Sequence, residues 1–434
     1  MNTLIDTLRA HALFYEVKRQ LAAEKSATSF GRQLLLLTID FPPKVSGGVY
    51  RPAALVKYAS AAGYKVSVIA ASSNAPTTRA GLDLLKYIGD EPRVIMFTPP
   101  QINPSVRFFP YIDGGLVSAA CMVKAAMKRL RGPIPGTIIA SGPPFCSFVA
   151  GYLLARAQGR RLILDYRDEW SECPFDFVEK SREGLRWESR CLEQASLIIM
   201  TTESQKRHLG QVFGDLVSSK CVVIPNGWEP DFAPESHTLP HTEFDRVVLT
   251  FAGKLGGHTD PKRFLDALYR LLQRRPDLKD KLLVRFIGAK GHDAMHRIDA
   301  FPIQEILDIV PAISPIKAVG FIRSSQALLL FHDARFARYL PGKIYEYIAS
   351  SVPILLLDDC GESDRLVREL QLGWSVNTDD DSGIETILDG FIAKQRDNVN
   401  IRTRSTTVQR WLEAHERSRL SQLFIEQLAR AVGS

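Results

Sequence analysis

The stretch Gln33-Leu34-Leu35-Leu36-Leu37-Thr38-Ile39-Asp40-Phe41-Pro42-Pro43-Lys44-Val45-Ser46-Gly47-Gly48-Val49-Tyr50-Arg51 decides the reading of the chain. Residues 33–39 form a near-continuous apolar run that stops at Asp40, the pattern of a strand buried on both faces of a parallel sheet. Paired glycines follow, and then an apolar-periodic segment at 50–62 predicts a helix. Glycines between a strand and a helix let backbone N–H groups approach an anion closely, although a plain structural turn has the same composition. Position adds weight to the first reading, because the ligand crevice of an open α/β sheet lies beyond the carboxyl ends of its strands.

Runs of the same character recur at 65–70, 93–97, 137–140, 161–164, 197–200 and 221–224. The intervals are long enough for crossover helices, for example at 116–131. This alternation predicts a doubly wound α/β domain. Between 225 and 243 the chain turns polar, with Pro230, Pro234 and Pro240, as a linker would. A second series then starts, with strands at 247–251, 282–287 and 354–358 and a helix at 261–274, so a second α/β domain and a cleft between the two are expected. Residues 327–331 fit a strand or a buried helix equally well. Residues 403–432 read as helical, with Leu412, Leu420, Phe424, Ile425 and Leu428 on the apolar side. Residues 2–24 also read as a helix, with Leu4, Ile5, Leu8, Ala12, Tyr15 and Val17 loosely on one side, packed on its own domain or docked on a membrane or partner.

Composition narrows the class. The 434 residues are 45% hydrophobic and 24% charged, which excludes low-complexity and collagen-like chains. A net charge of +7 favours anionic partners. The basic residues are dispersed and no aromatic and basic module appears, so nucleic acid is disfavoured. Six cysteines, at 121, 146, 173, 191, 221 and 360, show no C-x-x-C spacing, which predicts reduced thiols and no metal centre. No run approaches the roughly 18–20 apolar residues of a membrane span, and no secretory signal is evident. A cytoplasmic protein is expected.

Three further clusters could carry chemistry. Asp165-Tyr166-Arg167-Asp168-Glu169-Trp170 follows a predicted strand and sets carboxylates beside an arginine, so that one Asp is held ionised while another serves as acid, base or hydroxyl acceptor; an interdomain ion-pair network is the alternative. Ala252-Gly253-Lys254-Leu255-Gly256-Gly257 follows another strand, with Lys262 and Arg263 opening the next helix. Glycines with basic groups suit a diphosphate, although the spacing is not that of a Walker A loop. Finally, Tyr339-Leu340-Pro341-Gly342-Lys343-Ile344-Tyr345-Glu346 puts Gly342 and Lys343 at a predicted helix N-terminus, with Glu346 one turn on as an acceptor for sugar hydroxyls or as a surface partner of the lysine.

With this last segment, extended through Tyr347-Ile348-Ala349-Ser350 to Val352-Pro353-Ile354, the sequence resembles the GT-B glycosyltransferases, and within them the retaining glycosyltransferase 4 family. Phe41-Pro42-Pro43 with Ser46-Gly47-Gly48, the 165–170 cluster, Val223-Ile224-Pro225-Asn226-Gly227 and Phe251-Ala252-Gly253-Lys254 carry the same resemblance in the same order. It implies a GT-B architecture of two Rossmann-like doubly wound domains facing a central cleft. An acceptor domain would span 1–235, with a helix at 1–28. A nucleotide-sugar domain would span 244–408, and a helix at 409–434 would cross back to the first domain. The donor would be a UDP- or GDP-sugar and the acceptor a glycan or a lipid-linked molecule. A bacterial surface polysaccharide or related glycoconjugate would be the product.

The resemblance also implies roles. Gly47, Gly48, Gly253, Lys254, Lys262, Arg263, Gly342, Lys343 and Glu346 would bind the donor. Lys254 would help neutralise the leaving diphosphate, and Glu346 matches the second Glu of the E-x7-E motif, a ribose ligand. The first Glu of that motif falls at 338, where this chain has Arg338. Members with the Pro-Gly-Lys-x-x-Glu-Tyr form commonly lack it. Asp168 with Arg167 would act on the acceptor side, and Arg51, Asp165 and Trp170 would bind the acceptor. No metal or other cofactor is implied, and the basic 1–28 helix suits peripheral contact with a membrane. Arg338 also motivates a second reading, a catalytically degenerate GT-B scaffold that keeps the nucleotide site. A nucleotide-sugar epimerase on the same fold is a third, whose usual pattern of carboxylates and His is not found here.

Overall fold

The structure is a computed structural model that describes residues 12–17, 19–21, 31–72, 76–98, 111–130, 133–232, 246–256, 259–288, 292–395 and 405–433. The chain divides into two compact units, one of Met1–Pro225 with Leu420–Ser434, the other of Asn226–Arg419.

The first unit holds a seven-stranded parallel sheet of β1 (Gln33–Leu37), β2 (Lys65–Ala71), β3 (Arg93–Phe97), β4 (Thr137–Gly142), β5 (Arg161–Tyr166), β6 (Leu197–Met200) and β7 (Cys221–Val223), in the order β3-β2-β1-β4-β5-β6-β7. Leu36 of β1 lies beside Val68 of β2 and Ile139 of β4. Flanked on both sides and covered on both faces, β1 has to be apolar at consecutive positions, and Leu34 to Leu37 are all buried. One face packs Val56 and Ala59 of the helix Tyr50–Ala61 together with Leu420, Phe424 and Leu428 of the helix Arg417–Gly433. The chain order reverses between β1 and β4, which makes their carboxyl ends the ligand-binding position of this sheet.

The second unit repeats the plan. Its sheet is β8 (Val247–Ala252), β9 (Leu282–Ile287), β10 (Leu307–Val310), β11 (Ala327–Phe331), β12 (Ile354–Leu357) and β13 (Gly373–Val376), ordered β10-β9-β8-β11-β12-β13, with the reversal between β8 and β11. Phe251, Phe264, Phe286 and Phe331 fill one face, with Phe251 and Phe331 stacked at 5.0 Å. Ile344, Tyr347 and Ile348 of the helix Lys343–Ser350 cover the other.

Residues 327–331, open between strand and helix from sequence, form β11: all five are buried between β8 and β12. The single helix expected over 403–432 is two, Thr406–Ala414 and Arg417–Gly433. They part because the backbone at 415–417 pairs with Trp228: the Trp228 N–H donates to His415 O at 3.1 Å and the Arg417 N–H to Trp228 O at 3.0 Å. The helix expected at 2–24 and the linker at 225–243 lie largely outside the described residues. Within them, residues 12–17 and 19–21 are helical, with Val17 and Leu21 buried and Lys124 pairing Glu16 at 3.3 Å. Tyr15, expected on the apolar side, is 72% exposed. No helix among the described residues is long and apolar enough to cross a membrane.

One glycine closes the second unit tightly. Gly361 has φ +78°, and a Cβ there would lie 2.4 Å from Ala337 O. Gly361→Ala is expected to lower the unfolding free energy by about 2–4 kcal/mol, from left-handed strain together with the backbone clash. Urea denaturation measures this, and a loss below about 0.5 kcal/mol would contradict the packing described.

Candidate functional site

At the β1/β4 reversal the feature that organises the loops is Arg167, just past β5. Its Nη1 donates to Gly48 O at 2.5 Å and its Nε to Gly142 O at 3.3 Å; Nη2 donates to Pro143 O, and Asp40 lies 4.0 Å away. One guanidinium thus ties the loop after β1 to the loop after β4. A Cβ on Gly48 would sit 2.3 Å from Arg167 Nη1 and 2.7 Å from Asp40 Oδ2. Gly48, expected to approach a donor phosphate, lies against the chain's own Arg167 and Asp40. Gly47 is exposed, and among the described residues nothing lies within 4 Å of its Cβ position and the buried Ser46 Oγ beside it has no hydrogen-bond partner.

The 165–170 cluster divides by burial. Asp165 accepts from Arg51 Nε at 2.9 Å and from Ser141 Oγ at 2.8 Å, and Arg51 Nη1 donates to the carbonyls of Ile224 and Pro225. Trp170 is fully buried and stacked on Phe145 at 4.9 Å. Of the three residues expected to bind the acceptor, Arg51 and Asp165 are held in an ion pair and Trp170 in aromatic packing inside the unit. Asp168 is different. It is half-buried, and its carboxyl is pushed up to about 6 by burial, with Arg167 opposing and Glu169 adding to the rise. A carboxyl poised there can take or give a proton near neutral pH.

Sequence reasoning missed the support of this turn. Glu188, on the helix Arg182–Gln194, accepts from Tyr166 Oη at 3.1 Å and from the Ser171 N–H at 2.9 Å, so it clasps both ends of the turn that carries Arg167 and Asp168. Burial pushes it up to about 7. On a helix rich in charge, nothing in the sequence sets this glutamate apart.

At the β8/β11 reversal the central group is Lys343, the first residue of the helix Lys343–Ser350. Its Nζ lies 3.6 Å from the centroid of the Phe251 ring, under the turn that follows β8. Gly253 makes that possible: its φ is +131°, and a Cβ there would sit 2.8 Å from the amine. Among the described residues no acid pairs with Lys343, and burial alone pushes its amine down to about 7. A desolvated cation at the start of a helix, beneath a glycine turn at a sheet reversal, is a strong anion-binding arrangement. Gly342 beside it is exposed with open space at its Cβ position.

The other expected cations are deployed differently. Lys254 is exposed, and its carbonyl accepts from Thr259 Oγ1 at 2.9 Å, closing the loop. Lys262 and Arg263 are exposed and paired, with Asp266 at 2.6 Å and Asp379 at 3.0 Å. Such surface pairs contribute little stability and open readily. Glu346, one turn past Lys343, accepts from Arg417 Nη2 at 3.0 Å. Burial raises its carboxyl, Arg417 opposes the rise and Glu229 adds to it. Arg338 is half-buried in the turn before Pro341. His332 and Asp358, which sequence reasoning passed over, follow β11 and β12 directly; because Phe331 is in register with Leu357, their side chains meet at 3.0 Å, buried.

Residues 46–227 match the family model described as the glycosyl transferase 4-like domain. Over 129 residues, 29% of this chain and 30% of the relative, the sequence is 26% identical to a D-inositol 3-phosphate glycosyltransferase of Kribbella flavida, so the aligned part spans less than a third of that relative. Among solved structures the chain is similar to Anabaena HepE in complex with UDP-glucose, with a TM-score of 0.67 and 16% identity over 92% of this chain and 99% of that one. It is also similar to a sucrose-phosphate synthase from Thermosynechococcus elongatus, with a TM-score of 0.64 and 13% identity over 92% and 98%.

The bare lysine has a measurable signature. Lys343 titrates near 7 when folded, against about 10.4 for an unfolded lysine. Its charge is therefore penalised on folding at all pH values below 7, and the penalty fades between pH 7 and about 10. Lys343→Met is expected to be more stable than the parent by about 2 kcal/mol at pH 6 and to lose that advantage as the pH rises to about 10. Chemical denaturation at several pH values tests this, and a pH-independent difference would contradict it.

Proposed function

We propose that this chain, a GT-B protein with a glycosyl transferase 4-like domain over residues 46–227, transfers a sugar from a nucleotide diphosphate sugar to a glycan or lipid-linked acceptor, with retention at the anomeric carbon. The observation that carries the proposal is Lys343, held under Gly253 at the β8/β11 reversal with no acidic partner among the described residues, with Glu346 one helical turn on. That spacing suits a nucleoside diphosphate: the phosphates meet the amine and the first N–H groups of the helix, and the ribose hydroxyls donate to Glu346.

Charge builds on the leaving diphosphate as the glycosidic bond breaks, and a cation already stripped of water stabilises that charge without reorganising. Lys254, exposed at the same strand end, adds to it. Lys262 and Arg263 join if their surface pairs open. The reading needs no metal, since the ammonium group supplies the positive charge. In a retaining transfer the leaving phosphate can take the acceptor's proton, so Asp168 serves to orient the acceptor hydroxyl and to share its proton.

A UDP-sugar or GDP-sugar is the proposed donor, and HepE, which shares the fold, has been crystallised with UDP-glucose. The proposed product is a bacterial surface polysaccharide or glycoconjugate, made on the cytoplasmic face of the membrane with peripheral contact through the N-terminal segment.

Thermal shift is the test, because a ligand that binds only the folded state raises its melting temperature. UDP or GDP at millimolar concentration is expected to raise Tm, with little effect from CMP or ADP. Lys343→Met should abolish the shift and lower transfer by about 10²–10³-fold. An undiminished shift in that variant would reject the lysine's role, and no shift with any nucleotide would favour the degenerate scaffold. The pH dependence has a sign as well. The amine of Lys343 binds phosphate only when charged, so nucleotide affinity should fall from pH 7 to pH 9, and Lys343→Arg should flatten the fall. Titration calorimetry reads both, and a profile equally flat in parent and variant would contradict the assignment.

A further inference from the structure

The chain passes between the two units twice, at Pro225/Asn226 and at Arg419/Leu420. The segments next to both passes are tied together within the second unit. Trp228 pairs with 415–417 through two backbone hydrogen bonds, and its Nε1 donates to Leu412 O at 2.9 Å. Arg417 of this junction reaches the candidate nucleotide site with its charged side chain. Arg417, whose own N–H donates to Trp228 O, extends its guanidinium to Glu346 at 3.0 Å, with side chains 11% and 23% exposed. The buried Glu229 of the first passing segment faces the same carboxylate, and Arg417 also lies 5.8 Å from the Phe232 ring.

We propose that the Glu346–Arg417 ion pair is a latch linking the nucleoside site to the paired chain crossings, and that a nucleoside diphosphate taking Glu346 releases Arg417 and loosens the crossing. This rests on the reading of Glu346 as a ribose ligand. The physical basis is competition. Glu346 has two carboxylate oxygens, and Arg417 holds one of them. A ribose that donates two hydroxyls to this carboxylate displaces the guanidinium or weakens its hold. Without that side-chain anchor the 415–417 segment loses its charged tie to the helix Lys343–Ser350, and its backbone bonds to Trp228 open more often. Coupling is reciprocal, so whatever the nucleotide does to the junction, the state of the junction does to nucleotide affinity.

The test is hydrogen–deuterium exchange of the full chain, read in peptides covering 226–232 and 413–419, for the parent, Glu346→Gln and Arg417→Gln, with and without UDP or GDP. The expected result is exchange faster by about fivefold or more, the low end of ordinary coupling, in both variants without ligand and in the parent with ligand. The two variants break the pair from opposite sides, so misfolding of one leaves the other to decide. Unchanged exchange in the unliganded variants overturns the latch, whether or not a nucleotide binds. Faster exchange in the variants, with saturating nucleotide leaving the parent unchanged or slower, overturns the coupling while the nucleotide site stands. If neither UDP nor GDP binds the parent, the coupling and the ribose reading of Glu346 fail together.

Discussion

Strands β1 and β8 have a parallel neighbour on each side and apolar cover, so polar side chains on them are confined to Gln33 at the start of β1 and to Thr250 of β8, whose hydroxyl accepts from Ser325 Oγ at 2.6 Å. Every group able to do chemistry is thereby pushed to the carboxyl ends, where the chain leaves the sheet. In each unit that point coincides with the reversal of strand order, which leaves room beside the strand end. Asp40, Ser46 and Gly47 occupy it in the first unit, and Gly253 with Lys343 in the second. The order of the sheet fixes the location of both sites before any side chain is considered.

The two units use a cation at this point in opposite ways. Arg167 is saturated: three carbonyls and Asp40 surround it, so it acts as a structural tie between two loops. Lys343 meets an aromatic face and a glycine turn, with no acid among the described residues to neutralise it. A desolvated amine is costly in the empty protein, and an arriving anion relieves that cost. The difference between a satisfied guanidinium and a desolvated ammonium supports the proposal that the second unit holds the donor's phosphates.

Much of the fold was legible because its signal is long and local. The apolar runs at 93–97, 197–200 and 282–287 coincide with β3, β6 and β9. The short outer strands β10 and β13 were not legible: each has four residues and is only partly buried, so no continuous apolar run announces it. Residues 327–331 were ambiguous until their neighbours were known, since five buried residues carry no period. The site was legible as a set of loops but not as a set of partners. Arg51 and Asp165, 114 residues apart, and Glu346 and Arg417, 71 residues apart, pair through tertiary contacts that no local pattern encodes. Trp170 was expected among the acceptor-binding residues, because tryptophan serves binding and packing alike, and its stacking on Phe145 is a tertiary contact that the sequence does not announce.

The central claim, that Lys343 is held ready for a diphosphate, is tested most directly by determining the structure of the protein with a bound nucleoside diphosphate. The account predicts the Lys343 amine lifted from the Phe251 ring and within hydrogen-bond distance of a phosphate oxygen, at the N-terminus of the helix Lys343–Ser350. A nucleotide bound elsewhere, with Lys343 still resting on Phe251 under Gly253, would contradict it.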